Sequence, residues 1–263
     1  SLTYKPMSNW YRSSKEDGFS IKVTEDLFLK NVFLDTINVN IINSNLSDDK
    51  SYVYSDLPYY FIKSFLENKN KKDLDDQLKK KLLLGLGANR TTYNPTLSFS
   101  KNKIVPSEID NYFRNTTLHG YVHDMGAAMQ GGIGGHAGLF SNSNDVAKIM
   151  QMYIQGGYYG GIRFFKSSTI DDFNTCYFCD NNNRRGIGFD KPQLDDSMPT
   201  CGCVPMSSFG HSGFTGTYTW ADPDNKLVYV FLSNRTYPTM ENRMLYKYNI
   251  RTEIQRVIYE SFN

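Results

Sequence analysis

Apolar positions along the first half of the chain recur at helical spacing. "SDLPYYFIKSFLE" reads as a helix with Ser55 or Asp56 as N-cap and Pro58 in its first turn. "DLDDQLKKKLLLG" follows as a second helix ending at Gly85. Farther on, Val146, Ile149, Met150, Tyr153 and Ile154 share one face of a helix capped by Ser143 or Asn144 and stopped by Gly156 and Gly157. The first fifty residues are polar and weakly periodic, with one apolar stretch, "NVFLDTINVNIINSNL". The segment from Asn89 to Arg114 reads as loop, with a short helix opening after Pro106.

The final third changes period. "GFTGTYTWADP" and "KLVYVFLSN" are strand-like, and "DPDN" between them reads as a hairpin turn. The chain closes in a helix within "ENRMLYKYNIRTEIQRVIYESF", with Ile250, Ile254, Val257 and Ile258 on one face. Helices first, then a hairpin and a closing helix, predict an α+β fold: an antiparallel sheet flanked by helices plus a mostly helical subdomain. Residues 1–155 form the mostly helical region and 156–263 the sheet-bearing one, with no linker or internal repeat between them.

Composition narrows the function. A length of 263 residues suffices for one large domain or two intimate subdomains. The net charge of +2 offers no basic field for nucleic acid or anionic lipid. Apolar runs such as Leu227–Ser233 are strand-sized, too short for a membrane span. The opening "SLTYKPMSNWYRSS" has neither the charged start nor the apolar core of a signal peptide. Four cysteines lie in two tight pairs, Cys176/Cys179 and Cys201/Cys203. That spacing is open to two disulfides, to free thiols or to a tetrahedral zinc site.

Candidate chemistry sits in "YSD" (Tyr54 to Asp56), "HGYVHD" (His119 to Asp124), "GGHAGLFS" (Gly134 to Ser141) and "HSG" (His211 to Gly213). His119 and His123, four apart and followed by Asp124, could share a helix face, but no third metal ligand follows them. His136 reads as a turn residue of the Gly-rich loop. No cofactor is expected.

In that order and spacing, "YSDLPYYFIKSFLE", "GGHAGLFSNSNDVAKIMQMYIQGG" and "FGHSGFTGTYTWADPDNKLVYVFLSNRTYP" resemble the serine β-lactamase and penicillin-binding-protein superfamily, in its class C-related branch. "YKPMSNWYRS", "NRRGIGFDKP" and "NIRTEIQRVIY" further resemble β-lactamase-like domains attached to family 3 glycoside hydrolases, the β-N-acetylglucosaminidases. The resemblance implies acyl-enzyme hydrolysis of a cell-wall peptide, ester or amide by a serine and lysine in S-x-x-K. It makes Tyr54 a proton-transfer residue and places Asp56 where the family has asparagine. His211 takes the place of the lysine of K-T-G, exchanging a permanent charge for a titratable one. Ser212, Gly213 and Phe214 become the substrate-facing wall, with the Phe214 N–H as an oxyanion donor, and His123 a substrate contact.

The nucleophile is missing from this pattern. "SDDK" (Ser47 to Lys50) lies too near Tyr54, whereas "SFSK" (Ser98 to Lys101) and "SKNK" (Ser100 to Lys103) follow it, out of family order. "SLTYK" has its lysine four residues from Ser1. The expectation is a partial β-lactamase-like domain, inactive alone, completed by an upstream part of the same bacterial polypeptide and exported to the periplasm. The alternative is a non-catalytic module that binds a muropeptide-like ligand or packs against an attached glycosidase.

Overall fold

The structure, a computed structural model, describes residues 9–46, 48, 51–181, 183–192 and 199–262. It separates into two units, each gathered from discontinuous chain. The first takes Ser1–Lys79, Thr92–Phe140 and Thr236–Met240, the second Lys80–Thr91, Ser141–Arg235 and Glu241–Asn263.

In the first unit, three short antiparallel strands (Tyr11–Arg12, Leu27–Leu29 and Ile21–Thr24, in spatial order) form a small sheet. The apolar stretch after it is the helix Phe33–Ile42, which buries Phe33 and Ile37 one turn apart. Tyr11, Leu29, Phe113 and Met129 complete the core around them, each buried apolar side chain contributing about 1.5–3 kcal/mol. The expected helix at Ser55 runs over Leu57–Asn70. Asp56 holds the N-cap position, Pro58 lies in the first turn and a left-handed Lys71 ends the helix.

The next helix differs from its expected form. It runs Leu74–Leu78, loosens into a π-turn at Lys79–Leu83 and resumes at Leu84–Leu86, ending at Gly87 in the left-handed conformation rather than at Gly85. After Pro106 the chain forms a strand, Pro106–Asp110, not a helix, paired with Thr116–His119. The side chain of Asp110 decides this. It accepts the Tyr112 and Phe113 amides, which closes a turn, and holds the Arg114 guanidinium at 2.7 Å with both side chains fully buried.

The second unit is built on an antiparallel sheet in which Tyr218–Asp222 lies between Leu227–Phe231 and Phe209–Ser212. Alternation sends its two faces to different partners. Phe209 and Ala221 meet Met150 of the helix Ser143–Ile154, while Tyr218, Trp220 and Tyr229 meet Ile258 of the helix Ile250–Glu260. Asn142, not Ser143 or Asn144, caps the first of these helices by accepting the Asp145 amide. The closing helix is interrupted at Asn249, whose φ of 51° divides Met244–Lys247 from Ile250–Glu260. Cys176–Cys179 and Cys201–Cys203 are disulfides. The expected mixture of helices and antiparallel sheet is therefore the observed one. Among the described residues, no helix is long and apolar enough to cross a membrane.

Candidate functional site

The motif residues fall in both units. In the second, Gly210 is held where the strand Phe209–Ser212 passes its neighbour. A Cβ there would lie 2.2 Å from the Thr219 carbonyl oxygen and 2.3 Å from the Trp220 ring. The same glycine exchanges backbone hydrogen bonds with Asp190 on its other side, at 2.8 and 3.0 Å. One residue on, the His211 ring lies between two polar partners. Nδ1–H donates to the Ser212 carbonyl at 2.8 Å, and Nε2 accepts from Nη1 of Arg185 at 3.3 Å. Arg185 is itself fixed by Asp190, at 2.9 Å. A guanidinium from another segment thus lies beside the imidazole, itself paired with the Asp190 carboxylate. Sequence reading missed Arg185, because nothing in "NNNRRG" marks a partner 26 residues farther along the chain.

Beyond the strand end, Gly213 donates its amide to Thr217 and accepts from Gly216. Its missing side chain is needed there, since a Cβ would stand 2.2 Å from Thr217 Oγ1. Phe214 is half exposed, and the Arg235 guanidinium lies between its ring and that of Tyr246, at 4.7 and 4.6 Å. Ser212 ends the strand opposite Tyr218.

In the first unit Tyr54 precedes the helix Leu57–Asn70 and is 58% exposed. Ser55 Oγ accepts the Leu57 amide, so the Asp56 carboxylate makes no capping bond although its backbone holds the cap position. His123 is set beside Glu108, Nε2 to Oε2 at 2.9 Å. Arg114 donates to the carbonyls of Val122 and His123. Burial pushes the His123 pKa below its ordinary value, with the nearby Glu108 carboxylate opposing. His119 bonds the Ile104 carbonyl.

Asp124 caps the helix Met125–Met129 by accepting the Ala127 amide and also meets His136 Nε2 at 2.8 Å. Burial raises the Asp124 pKa, but the His136 and Ala127 bonds outweigh it, so the carboxyl titrates below its ordinary value. The His136 ring stacks on Tyr60 at 5.0 Å. The Gly-rich loop fits against the helix Leu57–Asn70 because Gly135 has no side chain: a Cβ would lie 2.4 Å from the Tyr59 carbonyl oxygen. One ligand atom each from Asp56, Asp124 and His136 lies within 4.8 Å of the others, a set able to hold a metal ion.

Of the serines that match S-x-x-K by spacing, Ser98 and Ser100 are exposed beside the single turn Lys101–Lys103, and Ser100 Oγ bonds Asn102. "SDDK" has Ser47 and Lys50 outside the described residues, and "SLTYK" lies wholly outside them.

A family model described as Beta-lactamase matches residues 46–252. A protein of Escherichia coli K12, named provisionally as a D-alanyl-D-alanine carboxypeptidase, is 33% identical over 199 residues, 71% of this chain and 45% of its own length. A protein of Salmonella agona with the same name is 30% identical over 204 residues, 73% of this chain and 47% of its own. The chain spans about half the length of these curated relatives. Two solved structures share the fold. EstCE1, a hydrolase with promiscuous acyltransferase activity, has a TM-score of 0.54 at 14% identity, over 83% of this chain and 59% of its own. The octameric penicillin-binding protein homologue of Pyrococcus abyssi has a TM-score of 0.52 at 20% identity, over 82% and 47%.

Proposed function

The chain belongs to the β-lactamase family of serine hydrolases, and from that premise we propose that it forms the substrate wall of an acyl-enzyme hydrolase. The substrate is a cell-wall peptide or a related ester or amide bearing a carboxylate, as a D-alanyl-D-alanine terminus does. The observation that carries this reading is the His211–Arg185 pair at the end of the strand Phe209–Ser212. Arg185 keeps a permanent charge there although its Nη1 and Nη2 already meet His211 and Asp190, and that charge favours a carboxylate at the strand end. Tyr54 acts in proton transfer, with Asp56 beside it in sequence. In this reading Ser212, Gly213 and the Phe214 amide line the path of the substrate, and His123 is kept as a substrate contact. The relatives' provisional naming as D-alanyl-D-alanine carboxypeptidases supports the choice of substrate, and the reading puts the protein in the bacterial periplasm or otherwise outside the cytoplasm.

Acylation needs a nucleophile, and no S-x-x-K stands in family order within these residues. The reading therefore assigns the serine and lysine to an upstream part of the polypeptide and expects the 263-residue chain to be inert by itself. The test is intact-mass measurement after treatment with excess fluorophosphonate. No adduct is expected. An adduct on Ser98, Ser100 or any other serine, lost on denaturation, would show a complete site here and overturn the assignment.

A further inference from the structure

We infer that Asp56, Asp124 and His136 form a binding site for one divalent transition-metal cation, of the Zn²⁺ or Co²⁺ class. The inference shares Asp56 with the acyl-enzyme reading but rests on the three ligands alone, and cation binding is measured without any acylation. Three segments supply the ligands: the start of the helix Leu57–Asn70 and, much later in the chain, the cap of the helix Met125–Met129 and the Gly-rich loop after it.

Their ligand atoms lie within 4.8 Å of one another, and the Asp124–His136 pair is already at 2.8 Å. Ligands about 2.0–2.2 Å from a zinc ion stand roughly 3–3.5 Å apart, so a rotation of the Asp56 side chain closes the set. That carboxylate is not engaged by the helix it precedes, since it makes no capping bond. The His136 side chain is 4% exposed, and the nitrogen that meets Asp124 is Nε2. Nδ1, which has no hydrogen-bond partner, lies on the other edge of the ring and would carry the ring proton while Nε2 binds the cation.

Two carboxylates and an imidazole are the donor types zinc takes, and three protein ligands leave a coordination position open. The surroundings hold these groups in place. Tyr60 stacks on the ring, the Ala127 amide fixes Asp124, and a Cβ at Gly126 would lie 2.0 Å from Tyr60 Oη. This packing holds two of the three ligands in place, and a bound ion would tie the three segments together.

The test is Co²⁺ titration of the whole chain, followed by visible absorption and calorimetry and reversed with a chelator. One equivalent is expected to bind and to raise the unfolding temperature. Asp56→Asn, which keeps the shape of the side chain and breaks no capping bond, should weaken binding about tenfold or more, as should His136→Gln. His119→Gln, which alters a histidine bonded to a backbone carbonyl, should leave binding unchanged. Circular dichroism confirms that each variant is folded, and Asp56→Asn carries the test if His136→Gln is not. Absence of a bound equivalent, or affinity unaltered in Asp56→Asn, overturns the inference and leaves His136 and Asp124 as an ion pair that holds the loop.

Discussion

Lys191 is the buried cation of the second unit whose titration is most displaced. It is 5% exposed, and its ammonium donates to Asn174 Oδ1 at 2.8 Å and to the Ser207 carbonyl at 3.0 Å. Neither partner carries a charge. Burial therefore pulls its pKa from 10.5 down to about 8, with Asp224 opposing. The unfolded chain holds the Lys191 proton up to about pH 10.5, whereas the folded chain releases it from about 8. Between those values the unfolded state binds more protons, so this group makes stability rise with pH. Below about pH 8 both states are protonated and the cost stands in full, about 3 kcal/mol at about 1.4 kcal/mol per pH unit. Lys191→Met removes the titration while keeping the stem. Urea unfolding of both proteins from pH 7 to 10 should show the wild type gaining on the variant above pH 8. A stability difference independent of pH would mean that the lysine is solvated in the folded state.

At the scale of elements, the closing helix shows what a pattern can and cannot reveal. Its apolar stripe was legible, but only Ile258 packs on the sheet, against Tyr218, Trp220 and Tyr229. Ile250, Ile254 and Val257 are exposed, Val257 by 65%, while Arg251, Thr252, Gln255 and Tyr259 are buried. Hydrogen bonds set the rotation of the helix. Gln255 Oε1 accepts from the Cys201 amide and the Tyr218 hydroxyl, and Tyr259 Oη donates to Asp222. Val257→Lys should accordingly change the stability of this chain by less than about 0.5 kcal/mol. Gln255→Ala strands two buried donors and should cost about 1–3 kcal/mol. Parallel urea titrations decide between them, and the reverse ranking would favour the apolar stripe as the buried face.

The same distinction explains the rest. Helices at Leu57 and Ser143 and the hairpin at Asp222 were readable because their signals are local. Strands of two to four residues, such as Tyr11–Arg12 and Ile21–Thr24, are too short to show a period. The motifs marked Tyr54, Asp56 and His211 as candidates, but the partners of His211 and His136, namely Arg185 and Asp124, depend on tertiary folding.

At the scale of the whole molecule, the chain connects the two units repeatedly, and this bears on how they unfold. Thr236–Met240 belongs to the first unit although residues on either side of it belong to the second. It is bound there by the Thr236 hydroxyl to the Ser107 carbonyl at 2.7 Å, by the Ile109 amide to the Pro238 carbonyl at 2.9 Å and by the Met240 amide to Glu108 at 3.1 Å. Lys80–Thr91 makes the converse excursion into the second unit, where Asp145 accepts from the Arg90 amide at 2.7 Å. Neither unit can lose its structure without freeing a segment whose ends continue into the other. A chain of this length commonly unfolds in stages, but such interleaving favours a single transition. The two tryptophans allow a direct measurement. Trp10 packs edge-on against Phe33 in the first unit, and Trp220 is buried in the second. In a Trp10→Phe variant, fluorescence follows only the second unit through Trp220, while far-ultraviolet circular dichroism follows both. The two urea midpoints should coincide. A fluorescence transition displaced from the dichroism curve would show that the second unit melts on its own and that the interleaved segments do not couple the two.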